Sequence, residues 1–536
     1  MFGYKIVSFG LRSGRYVVCN ANKSTLLQNH AKRLYSKKPD TSCQNRKNEV
    51  EMCTMQDCML NLCDKEPSIV IIGAGIAGLS AAQRLIQCGL TNFHILEATD
   101  RPGGRIHSCW LGDVVAELGA QHIEGACATN PIYNLACQEG LLNAPVPPRD
   151  GGLRGLFCRS DGRAIDMATS LLAYQVLRQI EQQAMSLYKV SASYQQTSLL
   201  DFMGMRIQQE LLTFPEEMRH DAARVMYGLT NNIRIKCGDD LSQVNANQYG
   251  SLIQMPFGRV RIPLGYIGIV APLLRELPPC CLHYCKPVNK ISWGGLESNG
   301  RRAIVQCCDG DSFPADYVIV TVSLGVLKQH ADRLFCPQLP SEKVDAICAL
   351  GYGMVNKIFL EYSRPFWVWH KGRIRFAWSQ DELSNRCDWT KGLNGVDEID
   401  GSRHVLSAFV SGPEAVQMEL ASDEEIAHKM TKLLRQFTGD STLPYPCTIL
   451  RSKWVTDPYF CGAYSYLSIN SNVGHQCELA APLPGPCEPI APILFFAGEA
   501  TCVGHYATVH GGRISGIREA ERIIALTKKF AGPPKP

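Results

Sequence analysis

Two hydrophobic periods alternate along this chain, and the first clear switch follows Pro67. Ser68–Ile72 is a short β-branched run, which predicts a buried parallel strand. From Leu79 to Cys88, the positions Leu79, Ala82, Leu85 and Ile86 recur at helical spacing, and Phe93–Leu96 reads as a second strand. Together these make a βαβ unit of about 30 residues. Apolar periodicity with few breakers fills 166–218 (Leu171, Leu172, Tyr174, Val176, Leu177, Ile180) and predicts the helices of a second domain. Strand patterns return at Val288–Trp293, Ala303–Cys307, Tyr317–Val322 and Val355–Tyr362. A helix is predicted from Asp423 to Phe437 with Ser422 as its N-cap. Ile493–Ala497 is again a buried strand, and a last helix runs over Val509–Leu526. There is no internal repeat. The order implies an α/β fold of two interleaved domains, the chain leaving its first sheet and returning to it later.

Composition narrows the class. Of 536 residues, 45% are apolar and 19% charged, which is globular rather than disordered. No run approaches the ~20 apolar residues of a membrane-spanning helix, and no basic block suggests a nucleic-acid stripe. The net charge of +4 is uneven. Residues 1–39 hold eight Lys or Arg and no acid, leaving 46 basic and 50 acidic residues, a net of −4, in the remainder. Such a segment reads either as a mitochondrial presequence or as a disordered basic tail, so residues 1–65 are set outside the fold. Arg33-Leu34-Tyr35-Ser36 is similar to a matrix-protease site, and Pro534-Lys535-Pro536 is not a peroxisomal Ser-Lys-Leu address. The expected compartment is therefore mitochondrial or cytoplasmic. The 24 cysteines lack paired C-x-x-C spacing; Cys53, Cys58, Cys63 and Cys280, Cys281, Cys285 form no zinc pattern. Reduced thiols and no metal site are expected.

Gly73-Ala74-Gly75-Ile76-Ala77-Gly78 is a G-x-G-x-x-G turn between the first strand and its helix. Gly73 permits the tight turn, Gly75 lets a pyrophosphate approach the backbone, and Gly78 lets the helix pack on the sheet. The helix N-terminus then offers unpaired N–H groups to phosphate. Glu97, 19 residues beyond Gly78, ends the second strand where a ribose-binding carboxylate belongs. The spacing alone leaves FAD and NAD open.

Arg101-Pro102-Gly103-Gly104-Arg105 follows almost at once, and here the chain resembles the flavin-containing amine oxidases. The resemblance runs from about Pro67 to Thr527. It is carried further by Glu117-Leu118-Gly119-Ala120, by Thr321-Val322-Ser323-Leu324-Gly325-Val326-Leu327 with Ser in place of the usual Pro, by Leu350-Gly351-Tyr352-Gly353, by Phe496-Ala497-Gly498-Glu499-Ala500-Thr501, and by Thr508-Val509-His510-Gly511. It implies a Rossmann-like FAD-binding domain of the glutathione-reductase-like type (66–130, 255–325, 480–530) interleaved with an α+β substrate-binding domain (131–254, 326–479). Implied FAD contacts are Gly73, Gly75, Gly78, Glu97, Arg101, Gly104, Arg105, Val288, Trp454, Gly498, Glu499, Thr508 and Val509. Glu499 would act through its backbone, and Val288 would hold adenine through its own.

The resemblance also implies the chemistry. Lys357 matches the lysine that holds a water at the flavin, where a cation favours oxygen reduction. Tyr464, in Trp454-Val455-Thr456-Asp457-Pro458-Tyr459, Gly462 and Tyr464-Ser465-Tyr466, matches one wall of an aromatic slot. Ala463 stands where monoamine oxidases carry the cysteine that bonds FAD, so non-covalent FAD is implied; Cys461 lies two positions away. Ile123-Glu124-Gly125, Pro365-Phe366-Trp367 and Tyr464-Ser465-Tyr466 look most like polyamine oxidases, with Glu124 beside the substrate amine. The implied reaction is oxidation of spermine, spermidine or an acetylated form by oxygen to an aminoaldehyde, a shorter amine and hydrogen peroxide, by a monomer. An oxidase of another amine and a flavin-binding scaffold with lapsed activity are the alternatives. Two departures bear on the amine: His122 replaces the usual Trp, as packing or as a substrate contact, and Pro263-Leu264-Gly265-Tyr266 follows Arg259 and Arg261 at the expected tunnel.

Overall fold

Ile69–Ile72 is wholly buried and forms the centre of a five-stranded sheet. Across that sheet the order is Leu494–Phe496, Tyr317–Val320, Ile69–Ile72, Phe93–Leu96, Leu282–His283, and every neighbouring pair is parallel. The chain leaves the first strand toward Phe93–Leu96 on one side, while Tyr317–Val320 lies on the other. A crevice opens at such a reversal, outside the carboxyl ends of the strands. Helices Ile76–Gln87 and Val509–Phe530 pack on one face of this sheet and share a core with Ile71, Ile319 and Phe495. The computed structural model describes residues 66–142, 155–189, 197–295, 300–367, 373–384, 387–485 and 491–530. The expectations for residues 1–65, including Cys53, Cys58 and Cys63, and for the C-terminal tripeptide lie outside the described residues.

A second sheet has the order Thr448–Arg451, Val355–Glu361, Val405–Ser411, Gly395–Glu398, Ile374–Ala377, Leu156–Arg159. Its pairs are antiparallel except the last. Helices Met167–Ser186, Leu199–Leu211 and Glu216–Cys237 stack beside it. Asp166 and Ser198 cap the first two of these through side chains that accept from Thr169 and Asp201 backbone N–H groups. Gly238 ends the third in a left-handed conformation, φ 92°.

Most predicted elements form as read. Val288–Trp293 and Ala303–Cys307 have the predicted bounds, and Ser422 caps Asp423–Thr438 by accepting from Glu425 N. Two readings need correction. The first helix begins at Ile76, so Gly78 lies inside it. The helical region does not stop at residue 218 but continues to Cys237. The reason for the second is that this helix buries polar residues. Asn231 donates to the carbonyls of Lys391 and Leu393, and Arg234 donates to Glu414 Oε2 at 2.7 Å. These partners lie far along the chain, so the polar side chains break the apolar stripe while still facing the core.

Candidate active site

One cavity of about 1460 Å³ runs from the glycine-rich turn to the second sheet. At its nucleotide end, Gly73 has φ 108° and a Cβ on Gly78 would lie 2.0 Å from Gly73 O. The turn and the helix can therefore coexist only with glycine at both places. Gly75 is the N-cap of Ile76–Gln87 and supplies no side-chain cap, which leaves the helix N-terminus open toward the cavity. Glu97 also lines the cavity; its Oε2 accepts from Ala74 N at 2.8 Å and its Oε1 from Thr99 N and Oγ1. Val288 and Gly104 line the same end.

The middle of the cavity is built around a part-buried ion pair. Arg105 Nη1 donates to Glu499 Oε1 at 2.9 Å and to Ala463 O at 2.8 Å. Glu499 Oε2 accepts from Ser465 Oγ at 2.6 Å and from Ala507 N at 2.7 Å. Thus the Glu499 side chain ties three chain segments together, a role the sequence reading did not give it. Gly498, Glu499, Thr508 and Val509 all line the cavity, and helix Val509–Phe530 begins there with Thr508 Oγ1 accepting from Gly511 N at 3.0 Å. Trp454 lines it too, its indole donating to Leu118 O at 3.0 Å.

Lys357 lies on Val355–Glu361 and is 7% exposed. Its Nζ donates to Glu117 O at 2.9 Å, Gly119 O at 2.6 Å and Gln121 Oε1 at 3.4 Å, and sits 5.2 Å from the centre of the Phe409 ring. Burial pushes its pKa down to about 8, against the opposing pull of the Glu117 carboxylate. Glu117, itself pushed up by burial, accepts from Ser108 Oγ and from Tyr266 N, each at 2.6 Å. The Glu117-Leu118-Gly119-Ala120 motif therefore works as the cradle of the lysine. Tyr464 lines the cavity and donates its hydroxyl to Ile235 O, and Ala463 lines it beside Tyr464, whereas Cys461 does not.

Three sequence readings change here. Arg101 does not line the cavity: it lies 5.9 Å from the Phe460 ring centre and donates to Ile106 O, bracing the loop instead. Gly78 does not line it either and serves only the helix–turn contact. Of the expected tunnel segment, Leu264 is 70% exposed and Tyr266 is buried in the core, while Arg259 and Arg261 do line the cavity. Glu124 lines it as expected, but its Oε2 accepts from Arg259 Nε at 2.9 Å, so the carboxylate meets a guanidinium of its own chain. His122 lines the cavity as well. The sequence reading missed Arg178, Glu181, Lys236, Arg373, Arg375, Asp397 and Phe409, all of which line the cavity and carry no local motif.

The donor set fits FAD. A Cβ built at Gly75 or at Gly498 meets nothing within 4 Å, so both backbones are bare where they face the cavity. Two helix N-termini line it, and Arg105 lines it with them.

Comparison with known proteins agrees. Residues 76–524 match the family described as flavin containing amine oxidoreductase. The peroxisomal N(1)-acetyl-spermine/spermidine oxidase of Homo sapiens is 34% identical over 509 residues, covering 88% of this chain and 97% of that protein. Its Bos taurus counterpart is 33% identical over 502 residues, with the same coverage. Polyamine oxidase 1 of Oryza sativa subsp. japonica is 29% identical over 512 residues, covering 86% and 97%. The solved structure of putrescine oxidase bound to putrescine shares the fold, with TM-score 0.63 and 19% identity over 86% of this chain and 99% of that one. The chain thus belongs to the flavin-containing amine oxidoreductases, with FAD as its cofactor.

Proposed function

We propose that the protein oxidises a polyamine at a C–N bond, with oxygen as acceptor and FAD held non-covalently. One amine, one oxygen molecule and one water give an aldehyde, a shorter amine and hydrogen peroxide. When bound, FAD takes the hydride equivalents from the C–H bond next to nitrogen and passes them to oxygen. The observation that carries this reading is the buried Lys357, whose ammonium is held by two backbone carbonyls in the wall of the same cavity as the glycine-rich turn.

Lys357 supplies positive charge where negative charge develops on oxygen, from a side chain buried in the cavity wall. Tyr464 offers an aromatic face to an alkylamine stem. Gly75, Gly104, Arg105, Gly498 and the N-terminus at Val509 hold the dinucleotide, Glu97 its ribose, and Val288 and Trp454 its ends. Glu124 orients the substrate amine. Ala463, having no thiol, makes no bond to the cofactor. The two domains divide as 66–130, 255–325 and 480–530 against 131–254 and 326–479, each of the two largest sheets drawing its strands from one set, while Phe335–Cys336 pairs across the boundary with Val288–Trp293. The enzyme acts as a monomer. The acid-free stretch 1–39 supports mitochondrial import over a cytoplasmic site; a reporter fused to residues 1–45 that stays diffuse would count against it.

The test is peroxide release by the purified yellow protein with spermine, spermidine, N-acetylspermine and an aromatic monoamine. Peroxide from a free or acetylated polyamine is expected. Turnover of the aromatic amine alone, or of none, would overturn the reading.

A further inference from the structure

The charge on the cavity wall does not match a free polycation. Among the described residues that line it, ten are Lys or Arg and six are Asp or Glu, and of the ten Lys286 is paired behind the wall with Asp309 and Asp311. Beyond the nucleotide end, the residues from helices Met167–Ser186 and Glu216–Cys237 and from the second sheet include Arg178, Lys236, Arg373 and Arg375 against Glu181 and Asp397, four cations to two carboxylates in one arm.

Arg375 lines that arm and is 5% exposed. Its Nη2 donates to Asp397 Oδ1 at 2.8 Å, and its Nη1 to the carbonyls of Ile374 and Val396. Its Nε is buried and finds no hydrogen-bond partner among the described residues. Arg373, on the same face of the chain two residues earlier, contacts the same Asp397 oxygen at 3.1 Å. Opposite, Arg178 and Lys236 converge on Glu181, the lysine at 2.6 Å, and Tyr249 donates to it at 2.8 Å. Tyr174 lines the same cavity as both clusters. Although burial pushes the Glu181 carboxyl up, Lys236, Arg178 and Tyr249 together hold it below its ordinary value. Both carboxylates are thus engaged by cations of the chain, and an incoming ammonium would face like charge.

The same wall leads to Lys357. Lys357 pairs with Phe409, Ser407 pairs with Asp397, and the Asp397 strand adjoins that of Arg375. Three strand spacings of ~4.8 Å put the two backbones roughly 14 Å apart, a span for a long alkylamine rather than a short one.

We propose that this arm binds an anionic end group, so that the preferred substrate is a long secondary amine tipped with a carboxylate, held by Arg375 with Lys236 and Arg178. The proposal rests on the polyamine-oxidase reading and refines its substrate class; the C–N oxidation itself is unchanged.

The test compares three chains of equal length on the holoenzyme: spermine, the analogue in which one terminal aminomethyl group is replaced by carboxylate, and the corresponding primary amide. The expected order of kcat/KM is carboxylate, amide, spermine, with at least 10-fold between the ends, and Arg375→Gln is expected to lower the first and raise the last. Hexanoate binding by calorimetry supplies a readout apart from turnover, expected in the wild type and at least 10-fold weaker in Arg375→Gln. Spermine turned over as well as or better than the carboxylate would overturn this proposal and leave the polyamine reading standing. No turnover of any of the three would overturn both.

Discussion

Replacing Lys357 by Met removes one ammonium from the cavity wall. The move from 10.5 to about 8 means that the folded state carries roughly 3 kcal/mol of unfavourable charge burial at this lysine. Methionine removes that cost but leaves Glu117 O and Gly119 O without their donor, about 1–3 kcal/mol each. The terms oppose one another, so the variant should fold and retain FAD. The loss appears in catalysis instead: withdrawing one preorganised positive group is worth about 10²-fold in rate. The assay is two-step stopped flow, with anaerobic reduction by substrate and then mixing with oxygen. Only the second step should slow by about that factor. The wild-type oxygen step should also decline as pH rises through about 8, since the lysine loses its proton there, while the variant should be flat. A variant with wild-type oxygen reactivity, or with the same pH profile, would refute the assignment.

Gly75→Ala places a methyl group where nothing lies within 4 Å; the fold should be kept and FAD content lost, read as flavin absorbance per chain beside an unchanged thermal melt. Gly78→Ala should do the reverse, because its Cβ would collide with Gly73 O, and the melt should drop. Glu499→Gln leaves part-buried Arg105 without its carboxylate, which should cost about 1–3 kcal/mol in denaturant titration of the holoprotein. Lys343 donates to the carbonyls of Glu478, Leu479 and Ala481, and burial pushes its pKa down to about 8. Between pH 8 and 10.5 the unfolded chain then binds more protons at this residue, so its contribution makes stability rise with pH across that window. Lys343→Met should flatten the rise, and an unaltered slope would count against it.

The nucleotide end was the most legible part, because its requirements are local. Gly73, Gly75 and Gly78 are set by one turn and one helix start, and Glu97 by the strand that follows within the same βαβ unit. Lys357 is marked in the sequence by the resemblance, yet its holding carbonyls, Glu117 and Gly119, lie some 240 positions away and became visible only in three dimensions. Arg101 is the converse case. The resemblance implies an FAD contact, while its side chain lies by Phe460 and donates to Ile106 O, a placement that only the fold shows.

By itself, the sequence determined the βαβ start, most helix and strand bounds, and the family, since periodicity, capping and turn residues act over a few positions. Tertiary structure alone brought the charged cluster beyond the nucleotide end together. Arg178, Glu181 and Lys236 come from two helices, and Arg375 and Asp397 from two strands of a sheet whose members span residues 156 to 451. No local pattern marks such residues, because only folding brings their charges into one low-dielectric space.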